Sequence, residues 1–139
     1  MYRKFILAAD GSQNGLRAAD EAIRLAKLCD ECVIDVVFVA EYANTRVDIP
    51  LPSSEEEREL IEREQLNPVI DKINESQVKQ TFTVLFGDPA MALTQYANEG
   101  DAEMVIVGKR GLNALQEMFL GSVSQQLIKK SEIPVLVVK

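Results

Sequence analysis

Residues 105–124 combine residue types and spacings that could bind a phosphate group. The Val-Ile-Val run at 105–107 is a short β-branched stretch of the kind that fills a covered parallel sheet. Gly108 and Gly111 follow it. Because glycine has no Cβ, the chain can turn sharply there and approach a bound group closely. This part of the chain predicts a buried strand that leads into a glycine loop.

The start of a helix is predicted directly after this loop. Gly121 and Ser122 come first. The apolar residues behind them recur at helical spacing: Val123, Leu127 and Ile128. The first turn of a helix has unpaired backbone N–H groups and the positive end of the helix dipole, which both attract phosphate. The hydroxyls of Ser122 and Ser124 would add donors at the same place.

The spacing of the glycines is more specific than any one of them. A bare Gly-x-x-Gly is explained by chain geometry alone. Here Gly108-x-x-Gly111 is followed by nine residues and then by Gly121-Ser122. This pattern resembles the ATP-binding signature of the universal stress protein family.

The resemblance extends over nearly the whole chain. Residues 4–10 look like the opening strand of the family with its terminal aspartate, and residues 87–89 look like the exit from its third strand. Residues 134–138 look like its closing strand. Residues 37–39 are Val-Phe-Val where the family usually has Leu-His-Val, and residues 46–74 are the least informative part.

The resemblance implies that ATP, or another adenine nucleotide, lies across the carboxyl ends of the first, second and fourth strands. The implied site contains Ala8, Ala9, Asp10, Val39, Val107, Gly108, Arg110, Gly111, Gly121, Ser122, Val123 and Ser124. By resemblance, the ends of the first two strands contact the adenine and ribose. The glycine loop wraps the ribose and phosphates, and the helix start donates to the phosphates.

Some of these positions have two interpretations. Asp10 either accepts a hydrogen bond from a ribose hydroxyl or the adenine amino group, or it only caps the turn before Gly11. Lys109 and Arg110 either contact phosphate or face solvent, where exposed charges contribute little. Val39 would pack on the ring and use its backbone groups.

Predicted strands and helices alternate along the chain. Strands are predicted at 4–9, 33–39, 81–86, 104–107 and 135–138. Helices are predicted to begin after Ser12 or Asn14, at 53–54, at Asp88-Pro89 and at Ser122. Asn67-Pro68 either kinks the second helix or supplies the cap and the first residue of a new one that ends near Asn74. This alternation predicts an α/β protein whose parallel sheet is covered by helices on both faces.

The order of the strands determines where a ligand can bind. The resemblance implies one Rossmann-like domain over residues 1–139, with a doubly wound five-stranded sheet in the order 3-2-1-4-5. Strands one and four are then neighbours whose connections leave in opposite directions, and ligands bind in the crevice at such a switch point. The loops that begin at Asp10 and Gly108 meet there.

Charge and length limit the partners that we expect. The net charge of −7 disfavours a nucleic acid or an anionic membrane surface. A small anion can still bind where local dipoles outweigh distant charges. The apolar run at 5–9 is too short for a signal peptide, and no segment approaches membrane-spanning length. We expect a cytoplasmic protein without a nucleic-acid or membrane partner.

Cys29 and Cys32 are spaced like a redox dithiol. Such dithiols place the first thiol at a helix start, whereas here Cys29 is expected to close a helix and Cys32 to open a strand. Two thiols in a chain without histidine cannot complete a four-ligand zinc site within one subunit. We interpret both cysteines as small hydrophobic residues, with redox or metal chemistry as the lesser alternative.

The sequence contains no motif typical of catalysis. It has no histidine, no Gly-Lys-Ser/Thr phosphate loop and no nucleophile elbow. It also lacks clustered carboxylates for magnesium, so Mg²⁺ would arrive with the phosphates and keep water as its other ligands. The resemblance implies a nucleotide-gated regulatory module of the stress response. Because these motifs are missing from the sequence, we expect slow or absent ATP hydrolysis and no catalytic or metal-ligating residue.

The closing strand suggests a second copy of the chain as a partner. Residues 134–139 would lie at a sheet edge, which invites pairing if it is left open. Family members typically pair this strand with its copy across a two-fold axis, so the resemblance implies a homodimer. One alternative is a dimeric scaffold of the same fold that uses no nucleotide. Another is an FMN-binding electron carrier, which the absence of tryptophan disfavours.

Overall fold

The computed structural model describes residues 2–9, 13–40, 66–109 and 122–139. Strands and helices alternate through these segments. In chain order they are β1 (Lys4–Ala8), α1 (Gln13–Lys27), β2 (Val33–Ala40), α2 (Asn67–Glu75), β3 (Lys79–Phe86), α3 (Pro89–Glu99), β4 (Met104–Gly108), α4 (Ser122–Lys130) and β5 (Val135–Val138). The α/β class is therefore confirmed.

All five strands form one parallel sheet in the order β3-β2-β1-β4-β5. The predicted order 3-2-1-4-5 is correct. From β1 the chain moves on to β2, whereas from β4 it moves to β5 on the opposite side. The carboxyl ends of β1 and β4 therefore form the switch point at which such sheets bind ligands.

The central strands are apolar because both of their faces are covered. Phe5, Ile6 and Leu7 of β1 are fully buried, as are Val105 and Ile106 of β4. Since successive side chains of a strand point to opposite faces, each strand contributes to two cores. One core contains residues of α1 and α2, and the other contains residues of α3 and α4. This arrangement explains the nearly continuous apolar runs in the sequence.

The helix start at Asp88 follows its predicted chemistry, whereas Asn67 is not the cap that was predicted. Asp88 caps α3, where its Oδ2 accepts a hydrogen bond of 3.0 Å from the amide of Met91. Gly87 has φ 120°, which L-residues rarely adopt, so the exit from β3 depends on glycine. Asn67 is the first residue of α2, and the N-cap residue is Leu66 without a side-chain cap.

Several boundaries and buried positions differ from the predictions. β3 begins at Lys79, two residues before the predicted start, because its early residues pair with β2. Ile128 is 52 % exposed, whereas Leu127 is fully buried. Neighbouring helical residues point about 100° apart, so only one of them can face the sheet.

The two cysteines lie beside the first core. Cys29 is in the turn after α1 and is half-buried, Cys32 is buried just before β2, and neither forms a disulfide. Burial raises the pKa of the Cys32 thiol, which disfavours the reactive thiolate. This environment supports their interpretation as small hydrophobic residues.

Within the described residues, no helix is both long and apolar enough to cross a membrane.

Candidate functional site

The predicted nucleotide site lies where the carboxyl ends of β1, β2 and β4 meet. Ala8 of β1 is in register with Val37 on one side and with Val107 on the other. Ala9 continues this pairing, because its amide donates to the Val37 carbonyl oxygen at 3.0 Å. Val39, two residues farther along β2, is partly exposed at the same end of the sheet.

The exit from β4 is held by its neighbour β5. Gly108 is the last residue of β4 and is in register with Val138. The amide of Lys109 donates to the Val138 carbonyl oxygen at 2.7 Å. The glycine loop therefore leaves the sheet from a backbone position that is already hydrogen-bonded.

The start of α4 is attached to the end of β4. Ser122 is exposed, Val123 packs against the second core and Ser124 is only 2 % exposed. The hydroxyl of Ser124 donates to the Gly108 carbonyl oxygen at 3.2 Å. This contact brings the first turn of α4 to the carboxyl edge of the sheet, as the strand–loop–helix interpretation requires.

The electrostatics of this helix start favour an anion. The first turn of α4 contains no acidic residue, and Lys129 and Lys130 lie in the last turn. The unpaired amides of a first turn and the positive end of the helix dipole attract phosphate. An anionic group at Ser122 would meet these amides without a carboxylate on the same turn.

The structure thus brings together the backbone positions at three strand ends and the start of α4. The remaining predicted site residues lie outside the described residues: Asp10, Arg110, Gly111 and Gly121. The start of a helix predicted at 53–54 also lies outside them.

Sequence reasoning missed a buried polar cluster on β2. Asp35 is 1 % exposed and accepts three hydrogen bonds from hydroxyl groups. The donors are Thr81 and Thr83, each at 2.8 Å from Oδ1, and Tyr96, at 2.5 Å from Oδ2. Burial, followed by the hydrogen bond to Asp35, raises the pKa of the Tyr96 hydroxyl. The only sequence signal was a carboxylate that interrupts an apolar strand.

This cluster lies toward the amino end of the sheet, away from the predicted site. Near it, an open depression of about 590 Å³ is lined by Arg3, Lys4, Val33, Thr81, Asp101 and Glu103. Lys4 Nζ lies 2.9 Å from Asp101 Oδ1, and this contact raises the pKa of Lys4 and lowers that of Asp101. The charges of the depression thus partly pair with one another. None of the predicted site residues that the structure describes lines it.

Comparisons with known proteins agree with this architecture. The stress response protein NhaX of Bacillus subtilis (strain 168) is 34 % identical over 161 residues, covering 98 % of this chain and 97 % of that protein. Universal stress protein MJ0531 of Methanocaldococcus jannaschii is 33 % identical over 145 residues, covering 100 % of this chain and 83 % of that protein.

Solved structures show the same fold at lower identity. One is a universal stress protein in complex with cAMP, with a TM-score of 0.77, 22 % identity and coverage of 99 % of this chain and 97 % of that one. Another is the Arabidopsis thaliana protein At3g01520 with AMP bound, with a TM-score of 0.67, 20 % identity and coverage of 99 % and 91 %.

A comparison with known protein families agrees with these individual similarities and covers the full sequence. The pattern of the universal stress protein family matches residues 1–139. Together with the 34 % identity to NhaX over nearly the whole length of both chains, this match establishes the relationship. The chain belongs to the universal stress protein family.

Proposed function

We propose that this protein binds an adenine nucleotide, with ATP foremost, at the carboxyl edge of its sheet and acts as a nucleotide-gated regulatory module in a stress response. The observation that carries the proposal is the contact between Ser124 of α4 and Gly108 of β4. It brings a helix start to the switch point between β1 and β4, where a phosphate chain would find backbone donors.

Small residues at the strand ends support a site for a planar base and a sugar. Ala8 ends β1, Ala9 follows it and Gly108 ends β4, so these described residues add little side-chain volume at the switch point. Val39 offers a partly exposed apolar side chain at the end of the neighbouring strand. An adenine ring would gain apolar contact there, and its phosphates would extend toward the start of α4.

The similar structures support the class of ligand. One is a complex with cAMP and another has AMP bound, and the two ligands share an adenine nucleoside and a phosphate. Our proposal of ATP for this chain rests on the resemblance of its spacing from Gly108 to Gly121-Ser122 to the ATP-binding signature of the family. Mg²⁺ would bind through the phosphates. We place the protein in the cytoplasm.

We further propose that hydrolysis is slow or absent. The sequence has no histidine, the most common general base, so activation of a water molecule would fall to another group. None of the described side chains that we place at the site is a carboxylate. The nucleotide would then act as a ligand that changes the state of the protein, and it would not be a substrate.

Calorimetry with ATP tests the site directly. In Gly121→Val, a β-branched side chain directly before α4 would obstruct the approach of phosphate to the first amides. We expect ATP binding to be abolished in this variant while its circular dichroism spectrum is retained. Gln126→Val is the matched control, since Gln126 lies on the exposed side of α4 and should leave affinity unchanged. An unchanged affinity in folded Gly121→Val would refute this site.

The alternative function is a dimeric scaffold of the same fold that uses no nucleotide. Mass spectrometry of the small molecules released when fresh protein is denatured separates the two. Release of an adenine nucleotide in near-stoichiometric amount supports our proposal. If nothing is released and calorimetry detects no binding of ATP, ADP or AMP, the scaffold is favoured.

A further inference from the structure

The connection from α1 to β2 brings both cysteines of the chain to one turn. α1 ends at Lys27, and residues 28–31 form the turn that leads to Cys32 and β2. Between the two cysteines, Glu31 has φ 57°, a left-handed conformation that the third residue of some β-turns adopts. The first and last Cα atoms of a β-turn lie within about 7 Å, and a disulfide spans about 4.4–6.8 Å between Cα atoms. The backbone therefore places Cys29 and Cys32 at a separation that one disulfide bridges.

The two side chains share one environment. Cys32 is 5 % exposed and belongs to the core that contains residues of α1 and α2, and Cys29 packs against the same core from the turn. Burial is the main reason that the pKa of the Cys32 thiol is raised, and the charges of Cys29 and Glu103 raise this pKa further. An electrostatic effect of Cys29 on Cys32 requires the two sulfur atoms to lie near each other.

The two thiols differ in their access to solvent. Cys29 is half-buried, so a small oxidant reaches its sulfur more easily than that of the buried Cys32. The raised pKa keeps the Cys32 thiol protonated, so Cys32 is not the first to react. Its Sγ makes a weak hydrogen bond, 3.9 Å from the Val33 carbonyl oxygen, which it can give up for a bond to Cys29. Burial also keeps Cys32 away from thiols of other molecules, and the chain has two cysteines, so Cys29 is its partner.

We propose that Cys29 and Cys32 are a redox-sensitive pair that hydrogen peroxide converts to an internal disulfide, which links the end of α1 to the start of β2. The Cys29 thiolate attacks one peroxide oxygen, the O–O bond breaks, and a sulfenic acid and a hydroxide form. The Cys32 sulfur then attacks the Cys29 sulfur, the S–S bond forms, and a second hydroxide leaves. The two thiol protons convert both hydroxides to water, and the pair gives two electrons to the peroxide.

Oxidation thereby adds a second state to the protein. In the reduced state both side chains pack as small hydrophobic residues. The disulfide restricts the unfolded chain and so stabilises the folded protein, and because the closed loop has four residues the gain is at the lower end for disulfides. This response needs no nucleotide, so it goes beyond the proposed function and does not depend on it.

Peptide mapping of the full chain tests the pair. The reduced protein is exposed to excess hydrogen peroxide, treated with N-ethylmaleimide under denaturing conditions and digested with trypsin. The peptide of residues 28–46 contains both cysteines and no methionine, so methionine oxidation does not change its mass. We expect this peptide to lose the mass of two hydrogen atoms and to take up no maleimide. After reduction with dithiothreitol, both thiols should take it up.

Two alanine variants separate the roles of the thiols. In Cys32→Ala, the sulfenic acid of Cys29 has no partner thiol, so dimedone should trap it, whereas the wild type should give little of this adduct. In Cys29→Ala, Cys32 should remain a free thiol after the same exposure. Alanine keeps a small apolar side chain in the core, and circular dichroism verifies that each variant is folded.

Urea unfolding without nucleotide gives an independent readout. Peroxide should raise the unfolding midpoint of the wild type relative to both alanine variants, and dithiothreitol should remove this increase. Two free thiols in the exposed wild type, a sulfinic acid at Cys29, or a disulfide between two copies of the chain would each overturn the proposal. A failure to bind ATP would change none of these results.

Discussion

At the scale of single residues, Asp35 shows how a buried charge is accommodated in an apolar sheet. A buried carboxylate is costly unless hydrogen bonds replace its water. Thr81, Thr83 and Tyr96 supply those hydrogen bonds from β3 and α3. The cluster joins two strands and a helix around one charge, so removal of any donor leaves the carboxylate less well solvated.

Replacement of Tyr96 by phenylalanine tests this cluster. We expect Tyr96→Phe to lower the free energy of unfolding at pH 7 by about 1–3 kcal/mol, because the Asp35 carboxylate loses a donor. Burial and Asp35 raise the pKa of Tyr96 above 10.0. The protonated hydroxyl therefore contributes its full stabilisation below pH 10, and this contribution is lost as the pH rises through the raised pKa.

Urea unfolding of both proteins from pH 7 to pH 11 measures this effect. The difference between wild type and Tyr96→Phe should stay constant to about pH 9 and shrink above pH 10. Tyr2→Phe is the matched control, since Tyr2 is 39 % exposed and outside the cluster. A difference that grows at alkaline pH would contradict the hydrogen bond from Tyr96 to Asp35.

At the scale of elements, β5 is the last strand in the sheet order, next to β4. The carbonyl groups of Pro134 and Val138 accept hydrogen bonds from Val105 of β4 and from Lys109, which directly follows β4. Because the backbone groups of successive residues alternate between the two sides of a strand, the N–H of Val137 points away from β4. We propose that this edge pairs with the same edge of a second copy across a two-fold axis.

Val137→Pro should separate the proposed dimer into monomers. Proline removes one outward N–H and is tolerated in edge strands, so the hydrogen bonds to β4 remain. Sedimentation velocity at micromolar concentration should show a dimer for the wild type and a monomer for the variant. Val137→Ala trims the side chain but keeps the N–H, so it should remain a dimer. A wild-type monomer at this concentration would argue against the interface.

At the scale of the whole molecule, we propose a protein that binds a nucleotide and hydrolyses it slowly or not at all. Purified protein incubated with ATP and Mg²⁺ should release phosphate at well under about one turnover per second, the lower end of ordinary enzyme rates. Gly121→Val purified in parallel reports the contribution of contaminating ATPases. Faster turnover in the wild type alone would show that the protein is an ATPase.

The sequence by itself determined the elements and their alternation. Apolar runs at 5–7 and 105–107 indicate strands that are covered on both faces, and Asp88-Pro89 indicates a helix start, because these signals are local and depend on a few neighbouring residues. The strand order came with the family resemblance. The place of the proposed site follows from that order, since the glycine spacing identifies one connection and the order identifies its neighbour.

Only the tertiary structure decided which side chains meet. Asp35 and Tyr96 are 61 residues apart in sequence, and Ser124 and Gly108 are 16 apart, so no local pattern reports either contact. The same holds for Ile128, whose exposure depends on the side of α4 that faces the sheet. A hydroxyl or a carboxylate has several possible partners in a sequence, and packing brings only one set within hydrogen-bonding distance.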